Sequence, residues 1–101
     1  MLKRPKPGDV RVQEEHGGRL CAIAPEVRLL AQAGAVVASL ERPPLDARVD
    51  LVRGADGGFL LRELELIEPS LYFRTDPGSP LRFVQALGRW MQSLTAARGK
   101  L

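Results

Sequence analysis

The chain has 101 residues, a formal net charge of +3, 45% hydrophobic and 27% charged residues, and a single cysteine. These values bound it to one ordinary globular domain; no apolar run reaches the roughly 18 residues of a membrane span, and one cysteine allows no internal disulfide. The excess charge is local, because Lys3, Arg4, Lys6 and Arg11, less Asp9, account for all of it, and only five aromatic residues exist, none among those charges; a nucleic-acid surface wants a broader basic face with interleaved rings.

Residues 1–8 carry Pro5 and Pro7 and read as an extended lead-in, since proline and its predecessor avoid helix. No apolar segment follows their basic residues, so a secretory signal is not expected, and a lone cysteine suits a reducing cytosol. In residues 9–15, Val10 and Val12 alternate with Arg11 and Gln13, which predicts a strand. Gly17-Gly18 marks a turn, with His16 as a turn residue, and Arg19 to Ala24 reads as a returning strand that makes Cys21 a small core residue. A lone His without Cys or a second His at ligand spacing is not a zinc site.

Pro25 suits the first position of a helix. Over 25–40 the residues Val27, Leu30, Ala31, Gly34, Val37 and Ala38 recur at helical spacing, which predicts a scaffold helix ended by Pro43-Pro44. Strands over 46–54 and 58–67 follow. Asp56-Gly57 reads as a two-residue hairpin loop, because such loops need residues that accept positive φ. That loop sets Val52 opposite Leu61 and Asp50 opposite Glu63. Alternation then puts Phe59, Leu61, Glu63, Glu65 and Ile67 on one face and Leu60, Arg62, Leu64, Leu66 and Glu68 on the other.

Asp50, Glu63 and Glu65 thus converge. Like charges opposite one another destabilise a β-pair; at about 5 Å and a dielectric of about 20 the repulsion is roughly 3 kcal/mol. Two readings stand open. A divalent cation could neutralise the face, since hard Mg²⁺ takes carboxylate, phosphate and water oxygens. Alternatively the face is solvated, with Arg48 opposite Glu65 as an ion pair.

Pro69 ends the second strand, residues 68–79 form an irregular connection, and Arg74 is a weak candidate for contacting anions. Ser79 is a plausible N-cap with Pro80 as first helical residue. The last helix spans about 80–97, where Phe83, Val84, Leu87, Trp90, Met91 and Leu94 form an apolar stripe expected to lie in the core. The tail 98–101 is expected to fray. The element order predicts an α+β domain, an antiparallel β-sheet with two helices packed on one face. Arg11, Asp50, Glu63 and Glu65 would share the other face.

The run Glu63-Leu64-Glu65-Leu66-Ile67-Glu68-Pro69-Ser70-Leu71, together with Arg48-Val49-Asp50, resembles the metal-binding segment of ATP-grasp carboxylate–amine ligases, in the glutathione-synthetase-like and RimK-like branch. Gly8-Asp9-Val10-Arg11-Val12-Gln13 and Gly17-Gly18-Arg19 are similar to the family's Gly-Glu-x-Arg and Gly-Gly-Arg segments. Glu65 stands where the family has Asn. The resemblance implies Asp50, Glu63 and Glu65 as ligands of Mg²⁺ or Mn²⁺, Arg11 as a catalytic group on the transferring phosphoryl, and Arg11, Gly17, Gly18 and Arg19 in ATP binding. It implies ATP-dependent joining of a small carboxylate to an amine through an acyl phosphate.

The same resemblance assigns residues 1–101 to a C-terminal ATP-grasp subdomain without the preceding domain or the adenine-binding half. The missing ligase portion, in cis or in trans, is then the expected partner, with a second copy of the chain left open and activity of this chain alone not expected. The alternative is a non-catalytic interaction module that retains the subdomain fold.

Overall fold

A computed structural model of the chain describes residues 1–10, 12, 16–67 and 69–99. Arg11, the expected catalytic residue, and Glu68 lie outside the described residues. Among the described residues the fold is α+β, with two antiparallel two-stranded sheets and two helices. Strand β1 (Leu2–Arg4) pairs with β2 (Arg19–Cys21), α1 covers Val27–Ala38, β3 (Arg48–Arg53) pairs with β4 (Phe59–Glu65), a 3-10 turn covers Phe73–Thr75, and α2 runs over Ser79–Gly99. The four strands form two separate sheets where one was expected.

The N-terminal pairing corrects the sequence reading. The partner of β2 is Leu2–Arg4 and not the alternating stretch at 9–15, of which Val10 and Val12 lie outside any strand. The strand stops where Pro5 removes a backbone donor. The chain then turns through Gly8, at φ 83°, with the Asp9 N–H donating to the Lys6 carbonyl at 3.0 Å. Alternation around Arg11 was the stronger signal, and a three-residue strand ahead of two prolines gives almost none. Cys21 is exposed, not in a core.

The second hairpin reaches its expected pairing by another route. Gly54 N–H donates to the Gly58 carbonyl at 2.7 Å, which closes a three-residue loop of Ala55, Asp56 and Gly57 in place of the two-residue turn. Gly57 sits at φ 83°, and Asp56 Oδ1 accepts from the Gly58 N–H at 3.0 Å. A three-residue loop ending in a left-handed glycine is the next commonest hairpin closure. The extra loop residue moves the register by one, so Val52 opposes Leu60 and Leu51 opposes Leu61. A bulge between Asp50 and Leu51 on the β3 side then leaves Arg62 without a ladder partner and moves the register back. Asp50 still opposes Glu63, and Arg48 opposes Glu65.

Helix α1 starts at Val27 with Glu26 as N-cap, two residues later than Pro25 implied, and packs against β3. Its half-buried positions are Leu29, Ala33, Val36 and Val37, whereas Val27 is 82% exposed. Of the expected stripe, Val37 faces inward, whereas Val27, Leu30, Ala31, Gly34 and Ala38 are exposed. Apolar residues nearly encircle this helix, so periodicity alone cannot choose the inward face. Arg53 fastens the hairpin end to the helix start through an ion pair with Glu26, and its guanidinium lies 4.6 Å from the Phe59 ring centroid.

Helix α2 begins beside Asp76, which accepts from Gly78 N–H at 3.1 Å and pairs with Arg82. Ser79 does not cap it by accepting; its hydroxyl donates to the Asp76 carbonyl at 2.7 Å. The backbone stays helical to Gly99, into the expected frayed tail. Phe83 meets Phe73 with ring centroids 5.7 Å apart, yet Trp90 is 42% and Met91 57% exposed. The stripe expected in a core is largely on the surface, and no described residue is fully buried. The radius of gyration, 16.1 Å, exceeds the roughly 13 Å of a compact domain this long.

Gly57→Ala should destabilise the chain by about 1 kcal/mol or more, because an L side chain is strained at this φ. Gly57→Asn should lose less. Urea unfolding of the two variants checks the loop.

Candidate functional site

Four side chains meet on one face of the β3–β4 pair. Cross-strand pairing of Arg48 with Glu65 and of Asp50 with Glu63 places all four there. Arg48 is the hub. Its Nε donates to Asp50 Oδ1 at 3.1 Å, its Nη2 lies 3.2 Å from Glu63 Oε2 and 3.2 Å from Glu65 Oε1, and its Nη1 donates to the Ser70 carbonyl at 3.4 Å. Lys3 Nζ, brought in by β1, donates to Asp50 Oδ2 at 2.8 Å. The ion-pair alternative is therefore present in the structure, and Asp50 has two cations of its own.

These residues line an open cleft of about 570 Å³. Arg62 also lines it, although plain alternation put Arg62 on the opposite face. The bulge accounts for this, since an extra residue re-aims the side chains beside it. Tyr72 closes one side with φ 51° and ψ 49°, a left-handed conformation unusual for a residue with a side chain. Its carbonyl accepts from both the Thr75 N–H at 2.9 Å and the Thr75 hydroxyl at 2.8 Å, which holds the turn. Lys3, Arg48 and Arg74 lie 5.2, 5.6 and 5.7 Å from the Tyr72 ring centroid. Cations at such distances are attracted to an aromatic face.

Charge states follow from these neighbours. Burial would raise the Asp50 carboxyl, but the hydrogen bond and charge of Lys3, joined by Arg48, hold it below its ordinary value. For Arg48, burial works toward a lower pKa, and Asp50 and Glu65 overcome it and raise it. Glu63 is raised, first by its hydrogen bond with Glu65, then by desolvation and by the Glu65 charge, against the opposing effect of Arg48. Glu63 and Glu65 thus behave as a close carboxyl pair.

Whether a divalent cation fits is tested by the guanidinium itself. One positive nitrogen already lies 3.2 Å from an oxygen of each glutamate. Two carboxylates with water and phosphate oxygens are a usual Mg²⁺ donor set. Among the described residues, no group of three or more acidic, His or Cys side chains closes on a single ion. Glu63 and Glu65 would be the two carboxylates of such a set, with Asp50 turned toward Lys3 and Arg48 beside them.

The other expected site residues fall elsewhere. Gly17, at φ 81°, turns the chain before β2, and Gly18 and Arg19 line a second, more open cleft of about 560 Å³. Arg74 borders both clefts. Lys3 and Tyr72 escaped the sequence reading. Lys3 looked like part of a basic lead-in, and only recognition of β1 would have aimed it at Asp50; Tyr72 stood in an apparently irregular segment.

The fold and site define an α+β chain that presents a charge-paired acidic face in an open cleft. Over 48 residues, 48% of its length, it is 52% identical to the cycloserine biosynthesis protein DcsG of Streptomyces lavendulae. That match spans 16% of the relative's length. No protein-family model and no solved structure matches the chain.

The opposed shifts give opposite pH effects. Asp50, depressed in the folded state, contributes stability above its unfolded value of about 3.9, and this is lost as pH falls through its folded pKa. Glu63, raised when folded, contributes only at low pH and loses that contribution as pH rises past its unfolded value of about 4.3. Urea unfolding between pH 3 and 7 should show Asp50→Asn less stable at pH 7 by about 1 kcal/mol with a flatter acid limb. Glu63→Gln should be no less stable than wild type at pH 7.

Proposed function

We propose that the chain supplies the Mg²⁺-binding face of an ATP-dependent carboxylate–amine ligase of the ATP-grasp type. The observation that carries this reading is the pair Glu63 and Glu65, both 3.2 Å from one cationic nitrogen on the floor of an open cleft. Glu63 and Glu65, with Asp50 beside them, would hold Mg²⁺ or Mn²⁺. When bound, the metal would neutralise charge on the phosphates of ATP during phosphoryl transfer.

The chain's own residues supply the remaining roles. Arg48, Lys3 and Arg74 present cations to the same cleft, suited to a nucleotide phosphate or an acyl phosphate. Arg11 is proposed, on the sequence resemblance, to stabilise the transferred phosphoryl, and Gly17, Gly18 and Arg19 to contact the nucleotide. The substrates are a small carboxylate, activated as its acyl phosphate, and an amine that attacks it. A biosynthetic setting agrees with the partial relative. Because the cleft is open, the opposite wall, with the adenine site, is proposed to come from the remainder of a ligase in cis or in trans. An exposed Cys21 is compatible with a cytoplasmic setting.

A second reading rests on a different observation. The apolar stripe of α2, exposed at Trp90, Met91 and Leu94, suits a non-catalytic interaction module that docks on another protein. The two readings separate on metal binding.

Mg²⁺ at ten times its Kd should stabilise the chain by about 1.4 kcal/mol, read as a rise in thermal midpoint. Glu63→Gln combined with Glu65→Gln should abolish that rise, and matched ionic strength from NaCl should not produce it. No rise at millimolar Mg²⁺ or Mn²⁺ in the wild-type chain would favour the interaction module.

A further inference from the structure

We propose that Arg48 is a built-in counter-cation that a divalent ion displaces from Glu63 and Glu65, so that metal and anion enter this cleft cooperatively. The inference rests on the ligase reading of the cleft and adds how its charges are managed. All three carboxylates already have a cation: Lys3 at 2.8 Å and Arg48 at 3.1 Å on Asp50, and the Arg48 Nη2 at 3.2 Å from Glu63 and from Glu65. The position a metal would take between the two glutamates is therefore filled by a side chain. The two states exclude one another, because a guanidinium and a divalent cation cannot share those oxygens without strong like-charge repulsion.

Exposure makes the exchange local. Asp50 is 13% exposed, but Glu63 and Glu65 are 44% and 36% exposed, so an ion can approach them from the cleft without opening the hairpin. Partly exposed ion pairs are individually weak. A doubly charged ion with retained waters competes well against one arm of a guanidinium.

Tyr72 already holds Lys3 and Arg48 from its ring side and would keep the displaced guanidinium within the cleft. Tyr72 presents its ring to Lys3 at 5.2 Å and to Arg48 at 5.6 Å, on a backbone turn held by Thr75. Among the described residues, four basic and three acidic side chains line the cleft. Without metal the cleft is close to neutral and attracts anions weakly. With a divalent ion on the glutamates it becomes strongly positive, and the guanidinium released from them is free to bind a polyphosphate bidentately. Metal binding and anion binding then favour each other, as linkage requires.

Arg48→Gln separates this role from a purely structural one. Isothermal titration of the variant with Mg²⁺ should give binding about tenfold tighter than wild type, because a competing positive charge is gone. Inorganic tripolyphosphate, titrated at saturating Mg²⁺, should bind about tenfold more weakly. A structural role would weaken both, so equal or weaker Mg²⁺ binding by a folded variant overturns the exchange even where wild type binds the metal.

Should the variant not fold, wild type decides. On Mg²⁺ addition the carboxyl ¹³C signals of Glu63 and Glu65 should move and the Arg48 Nη2 protons should exchange faster with water. Moving carboxyl signals with unchanged Nη2 protons overturn the exchange and leave the metal site standing. Carboxyl signals that do not move remove the metal site, and the exchange with it.

Discussion

One guanidinium ties the central hairpin to the segment that follows it. Arg48 reaches Asp50 on its own strand, Glu63 and Glu65 on the next, and the Ser70 carbonyl beyond. Without it, three carboxylates would stand on one sheet face, and among the described residues Lys3 would be their remaining close cation. Repulsion across a β-pair would then work against the pairing that gathers them. A planar cation with several donors suits this position in a way an ammonium does not, because it can contact separate oxygens at once. The acidic face is thus charge-paired by the chain's own cations.

The sequence made the acidic face legible and concealed how it is built. Asp50 opposite Glu63 and Arg48 opposite Glu65 follow from alternation and a short turn, and both pairs are present. They arise from two departures that cancel, a three-residue loop and a bulge at Arg62. Neither is visible as periodicity, because each moves the register by one. Only Arg62 betrays them, lining the cleft from a position that alternation assigns to the other face. Lys3 was hidden for a different reason. Strand β1 is three residues long and lies ahead of two prolines, so local propensity says little and pairing with β2 decides its course.

Both helices were legible as helices, and their inward faces in part: Val37 on α1 and Phe83 and Leu87 on α2 are half-buried as their spacing implied. On α1 the apolar residues extend around most of the circumference, and contact with β3 selects Leu29, Ala33, Val36 and Val37. On α2 the stripe at Phe83, Leu87 and Trp90 has regular spacing, yet much of it meets solvent. Amphipathic spacing shows that a face is suited to burial and leaves open what buries it. The chain is elongated and no described residue is fully buried, so those faces remain largely exposed.

The most direct measurement of the central claim is a double-mutant cycle between Arg48 and Asp50 in metal-free buffer. Unfolding free energies of Arg48→Gln, Asp50→Asn and the double variant give the coupling between the two side chains. The account predicts a favourable coupling of about 1 kcal/mol or more, since Asp50 is largely enclosed and hydrogen-bonded to the guanidinium. Additivity within about 0.3 kcal/mol would contradict it, because the acidic face would then hold together without the cation placed at its centre.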